Sequence, residues 1–345
     1  MNTKILMSLV TIGLVASVVG IGTYAYFNDT ETSVGNTAAA GVLNLKLNGC
    51  DGTCTPSVVH ALDLKPSFTR YSTDINLSIE NNPGKLYKRV TAVLCENNGL
   101  SEPEAVEETL LNCEKNDLDN YTWVDVERKD GTVWNVVVPD YSATMKELLG
   151  KWIYLGEYPI GDTIIRQSFH LKAEVTNWAQ TDKCIFSEEF MLNQVNAPDP
   201  DNCWNCPLVL ENKNSTGWFI IDDGKYAVLN FIPKGPEFFY DLKGYSLEPS
   251  TEYSLIYYAD PWAGNHPGAL IAQGTTAGDG SLAVSGSVNL GIDLPEPADA
   301  NYAEGAKIWL VPSSDYNAAT KSMTAWSESR YYFETHKIWY DDTNA

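Results

Sequence analysis

The chain has 345 residues, 44% hydrophobic and 11% aromatic, with 45 acids against 23 bases and a net charge of -22. That surplus of acid repels phosphate backbones and anionic headgroups, which argues against nucleic-acid binding and suits extracellular, salty or calcium-rich surroundings. Length and apolar content allow about two domains with ordinary cores, and 10 Trp, 19 Tyr, 25 Gly and 17 Pro without long helical periodicity favour strands and turns.

The chain opens with Lys4, an apolar run over residues 5–22 and no further charge until Asp29. Thr23-Tyr24-Ala25 then offers a small-x-small exit for a cut between Ala25 and Tyr26, the layout of a secretory signal. The competing reading is an uncleaved anchor, since the run approaches the length of a short membrane span. A basic stop-transfer cluster is absent, so cleavage is the reading adopted, with membrane contact only before it.

From Ala40 onward the pattern alternates between turns. Val42, Leu43, Leu45 and Leu47 fit a first strand. In Ile75-Asn76-Leu77-Ser78-Ile79-Glu80 the apolar residues share one face. Asn81-Asn82-Pro83-Gly84 reads as a turn, in which Asn and Gly both accept positive φ. Further strands are expected over 88–95, 152–155, 163–177 and 185–194. Two short helical insertions are expected, over 101–115 behind a Ser101 N-cap and over 142–149.

Cysteines stand at Cys50, Cys54, Cys95, Cys113, Cys184, Cys203 and Cys206. In an exported chain they read as disulfides. Cys95 with Cys113, Cys50 with Cys54, and Cys184 with Cys203 or Cys206 are the pairings that spacing suggests; seven is odd, so connectivity stays open. Cys203-Trp204-Asn205-Cys206 is a C-x-x-C motif, a pattern open to a structural bridge, a metal site or a redox site. The bridge is favoured, because no second such pair and no thioredoxin-like setting accompany it. The preceding Asn196-Ala197-Pro198-Asp199-Pro200 is linker-like, and residues 197–207 divide a domain over 26–196 from one over 208–345.

The second domain has no cysteine. Alternating segments over 218–221, 226–232, 238–242, 253–258, 282–290 and 306–311 predict an Ig-like β-sandwich. Tyr258, Asp260, Trp262 and His266 form a conspicuous aromatic and polar loop that would suit a sugar or a protein partner. Leu255-Ile256-Tyr257-Tyr258-Ala259-Asp260-Pro261-Trp262 resembles C-terminal modules of archaeal surface proteins, which implies fold and not activity.

No enzyme is expected. The four histidines, His60, His170, His266 and His336, make no H-E-x-x-H spacing, and nucleophile-elbow, phosphate-loop and dinucleotide fingerprints are absent. No motif calls for a cofactor, calcium included. Sequons at Asn28, Asn76, Asn120 and Asn214 permit glycosylation of an exported chain.

Tyr24-Ala25-Tyr26-Phe27-Asn28-Asp29-Thr30-Glu31, then Ala40-Gly41-Val42-Leu43-Asn44-Leu45, resembles the signal region and mature start of the TasA family, which includes camelysin and archaeal bundling pilins. Leu62-Asp63-Leu64-Lys65-Pro66 and Leu77-Ser78-Ile79-Glu80-Asn81-Asn82 continue the likeness in order to about residue 196, with Ser67 where the family usually has Gly. The resemblance implies a jelly-roll-like antiparallel sandwich and maturation by a SipW-type signal peptidase. It also implies filaments in which residues 26–40, with Tyr26, Phe27 and Val34 as plugs, complete the sandwich of the next subunit. The all-β chain is therefore read as a secreted, non-catalytic homopolymer of a cell-surface or biofilm matrix. The alternatives are a monomeric adhesin or glycan-binding protein and, behind it, a camelysin-like metallopeptidase, for which the resemblance carries over no ligand set.

Overall fold

The computed structural model describes residues 28–30, 43–52, 71–96, 118–179, 182–260 and 268–345. The signal segment, Tyr26, Phe27, Val34, Cys54, His60, the 101–115 helix with Cys113, and Trp262 with His266 lie outside them. The described chain is almost entirely β.

Strands β1 (Asn28–Thr30), β2 (Asn44–Leu47), β3 (Tyr71–Glu80), β4 (Gly84–Glu96), β5 (Thr122–Asp130), β6 (Val133–Val138), β7 (Ile153–Tyr158), β8 (Gly161–Leu171) and β9 (Lys183–Gln194) build two antiparallel sheets. One has the order β1-β9-β4-β7 and the other β2-β3-β8-β5-β6. Between them lies a core of Leu45, Ile75, Leu77, Ile79, Leu86, Val126, Ile153, Ile165 and Leu192. The expected alternation of β3 holds: Ile75, Leu77 and Ile79 are buried while Asn76 faces solvent. In the following turn Asn81 takes the positive φ of 70°, but Gly84 does not. It is needed for another reason, since a Cβ there would stand 2.5 Å from the Asn193 carbonyl oxygen on β9.

Several boundaries differ from expectation. The 163–177 strand ends at Leu171, where Val175 N–H turns back to the Lys172 carbonyl. Helix α1 is only Met145–Leu148, and its N-cap is Thr144 rather than Ser142. Glu147 supplies the reason, closing a capping box in which its carboxylate accepts from Thr144 N at 2.8 Å. The β5–β6 hairpin, unforeseen in the sequence, turns at Gly131 with φ 61°.

The strands after residue 207 are β10 (Leu208–Glu211), β11 (Tyr226–Phe231), β12 (Lys234–Gly235), β13 (Phe238–Tyr245), β14 (Glu252–Tyr258), β15 (Ala269–Thr275), β16 (Leu282–Val288), β17 (Lys307–Pro312), β18 (Tyr316–Asn317), β19 (Ser322–Met323), β20 (Tyr332–Glu334) and β21 (Asp341–Asp342). Eight of them share one curled sheet, β15-β14-β17-β20-β10-β11-β13-β16, whose ends β15 and β16 approach each other to give a nearly closed sandwich. Leu208, Leu229, Phe238, Leu255, Ile308 and Leu310 fill it. The strand expected over 218–221 is not formed. Gly217 and Trp218 both take positive φ, 98° and 60°, and the turn they make leaves Trp218, Phe219, Ile220 and Ile221 exposed.

Two buried polar features make the fold testable. Lys88 on β4 is fully buried; its Nζ donates to Gln167 Oε1 on β8 and, at 2.8 Å, to Glu188 Oε1 on β9, while Gln167 Nε2 donates to Glu188 Oε2 at 2.9 Å. This triad joins the two sheets through an otherwise apolar interior. Lys88→Ala leaves Glu188 without its cation, and a loss of about 3–5 kcal/mol is expected in urea denaturation; Lys88→Met together with Glu188→Gln should lose much less. In the second unit, burial pushes the Glu334 carboxyl up to about 7, and burial reinforced by Asp223 and Asp222 does the same to Glu211. The folded chain then keeps protons that the unfolded chain, titrating near 4.5, has lost. The contribution of these two carboxyls to stability is full below pH 4.5 and is lost as pH rises through 7. Glu334→Gln should raise stability at pH 8 by about 3 kcal/mol and change it little at pH 4, measured as the shift in denaturation midpoint.

Candidate functional site

Four sheet edges decide where the first unit can accept another strand, because an uncovered edge presents unpaired N–H and C=O groups. The β7 edge is closed by the linker. Trp152 N–H donates to the Asn202 carbonyl at 3.0 Å, and Trp204 N–H to the Trp152 carbonyl at 2.7 Å. Asn205 then imitates a strand with its side chain, accepting from Tyr154 N at 2.7 Å and donating to the Tyr154 carbonyl at 3.1 Å. The Cys203–Cys206 disulfide holds this four-residue loop in shape, and Cys206 packs with Tyr87, Trp152 and Met191. The C-x-x-C motif is thus an edge clamp.

The β9 edge is different. β9 is paired along its length with β4, but its other side carries only β1, in the register Asn28↔Asn193, Asp29↔Leu192, Thr30↔Met191. β1 also lies beside β2, the edge of the opposite sheet, so it occupies the open side of the sandwich where the two sheets face each other. Opposite Asn28, the Asn193 side chain is buried, and its Oδ1 has no hydrogen-bond partner among the described residues. From Lys183 to Phe190 this side of β9 pairs with no strand among the described residues. The edges β2 and β6 of the second sheet are shorter, four and six residues.

Cys95 and Cys184 face each other in the β4–β9 register and are bridged, with Cα atoms 4.0 Å apart. This replaces the expected Cys95–Cys113 staple and the expected reach of Cys184 to Cys203 or Cys206. Strand register decides the pairing across 89 residues of sequence, which spacing along the chain does not reveal. Cys50 is disulfide-bonded as well.

The linker is docked. Asp199 accepts from Tyr87 Oη at 2.5 Å and pairs with Lys85 at 3.1 Å, and Ala197 is buried. Lys234 of the second unit pairs with Glu147 of the first at 2.6 Å. In the expected ligand loop, Tyr258 stacks on Trp309 with ring centroids 3.7 Å apart, and the Asp260 carboxylate is held by Lys307 Nζ and, at 2.7 Å, by Asn301 Nδ2. Both described members of that loop are therefore fastened to the sandwich. The sequence reading passed over a separate exposed apolar patch where Trp218 meets Trp326 and Phe333. Of the sequons, Asn76 is exposed within β3, Asn120 is half-buried in a 3-10 turn, and Asn214 is half-buried with its carbonyl bound by Trp218 N–H; Asn28 is in β1.

Among the described residues, no three His, Cys, Asp or Glu side chains gather in a way that could hold a metal ion. His170 is buried, bonded through Nε2 to Asp140 and set edge-on to Tyr141. No helix of the described residues is long and apolar enough to cross a membrane. No curated protein matches the chain. Residues 1–122 match the family model described as camelysin metallo-endopeptidase.

Proposed function

We propose that the chain is a secreted, cell-surface structural protein that assembles into extracellular fibres by N-terminal strand donation. The carrying observation is the open side of the first sandwich, where a three-residue β1 is the only strand on the β9 edge among the described residues. The signal-like layout of residues 1–25 and the family match over residues 1–122 are compatible with export and a surface role. In this reading a SipW-type signal peptidase frees Tyr26, Asn28–Thr30 leave their own β9, and the donor segment over residues 26–40 pairs with the β9 of a neighbour. Main-chain hydrogen bonds supply affinity and alternating side chains supply fit. Because donor and acceptor are different surfaces, the contact is head-to-tail and propagates instead of closing. The second unit, tied to the first through the docked linker, is carried along the fibre.

Negative-stain electron microscopy of protein beginning at Tyr26 should show filaments. A variant lacking residues 26–40 should remain monomeric and should bind a labelled peptide of residues 26–40 added in trans. Filaments that persist after the deletion, or full protein that stays monomeric in high salt with calcium, contradict the reading.

A further inference from the structure

Between the two units runs a groove of about 1070 Å³, walled by the linker, by β12 and by the segment from Thr335 to Asp341. We propose that this groove binds a neutral oligosaccharide. The inference does not rest on the fibre reading.

Trp339 and Tyr302 line the groove, both well exposed at 52% and 46%, with ring centroids 6.3 Å apart and set edge to face. Rings displayed in this way offer an apolar face to the C–H side of a pyranose, while nearby polar groups take its hydroxyls. Trp339 is rigidly presented. Its neighbours Ile338 and Tyr340 are buried in the second core, and backbone bonds fix them to Ala306 and Leu294, so alternation turns Trp339 outward. Gly305, at φ 108°, allows the close approach: a Cβ there would stand 2.9 Å from Lys337 Cβ and 3.2 Å from the Trp339 indole nitrogen. A sugar therefore meets a platform whose ordering cost has been met in folding.

Charge selects the class of ligand. Lys85 is matched by Asp199, Lys234 by Glu147 and Asp341, and Lys337 by Glu304. Desolvation lowers the His336 pKa below the ordinary histidine value, against the pull of Asp199, so that His336 is neutral near pH 7. Lys151 also lines the groove and pairs with no carboxylate among the described residues, but it is a single cation, and the net charge of -22 repels a uronate, sulfate or phosphate at longer range. A neutral chain of hydroxyls meets neither penalty. Domain interfaces are also where such concave, aromatic-lined sites recur.

The test is titration of the secreted full-length protein with maltoheptaose, cellohexaose and mannohexaose, followed by tryptophan fluorescence and calorimetry, with polygalacturonate and an oligoproline peptide as counter-probes. Saturable binding of at least one neutral oligosaccharide is expected. Trp339→Ala and Tyr302→Ala should each weaken it about tenfold or more, while Trp218→Ala on the separate patch leaves it unchanged. Both groove residues are exposed, so circular dichroism should show the variants folded. Absence of saturation with every neutral oligosaccharide, equal affinity in Trp339→Ala, or binding confined to polygalacturonate or the peptide would each overturn the assignment.

Discussion

A sandwich of antiparallel sheets ends in rows of unpaired backbone groups, and each such edge must be covered, shortened or left as a place where another strand can add. In the first unit the β7 edge is closed by a disulfide-clamped linker whose Asn205 side chain pairs like a strand. The twelve-residue β9 edge carries a three-residue partner. Among the described residues that inequality sets the two sides apart: one side of the first sandwich holds the second unit, and the other carries only β1.

Electrostatics divides in a similar way between interior and surface. The interior of the first unit tolerates a buried lysine because Gln167 and Glu188 complete its hydrogen bonds from two different strands, as burial of a charge demands. Along the junction of the units the lysines are paired across elements, Lys85 with the linker and Lys234 with α1 and β21. A net charge of -22 repels nucleic-acid phosphates and anionic headgroups at long range.

The parts of the fold legible in the sequence are those with local signals. Ile75, Leu77 and Ile79 repeat at a period of two, and the core face follows directly. The 226–232, 253–258 and 306–311 segments became β11, β14 and β17 for the same reason. Failures came where tertiary register or a backbone angle decides. Cys184 pairs with Cys95 because two strands run opposite each other, which no spacing announces. The run from Trp218 to Ile221 has strand composition, but the positive φ of Gly217 and Trp218 turns it outward. In the β5–β6 hairpin, Val124 and Val126 alternate with charges and Asp130-Gly131 marks the turn, a signal present but not used. Of the candidate sites, the linker motif was recognised as structural but its partner edge was not. Tyr302 and Trp339 meet only because the Ala306–Ile338 bridge brings distant segments together.

The proposed assembly makes the β1-bearing side of β9 the acceptor surface. Backbone amide hydrogen exchange across residues 183–194, compared between dispersed monomer and assembled protein, addresses it directly. The account predicts that edge amides of β9 before Met191, beyond the reach of β1, exchange readily in the monomer and become strongly protected on assembly, while those of β2, β6 and β7 change little. Unchanged β9 exchange in the assembled state, or protection appearing on β6 instead, would contradict it.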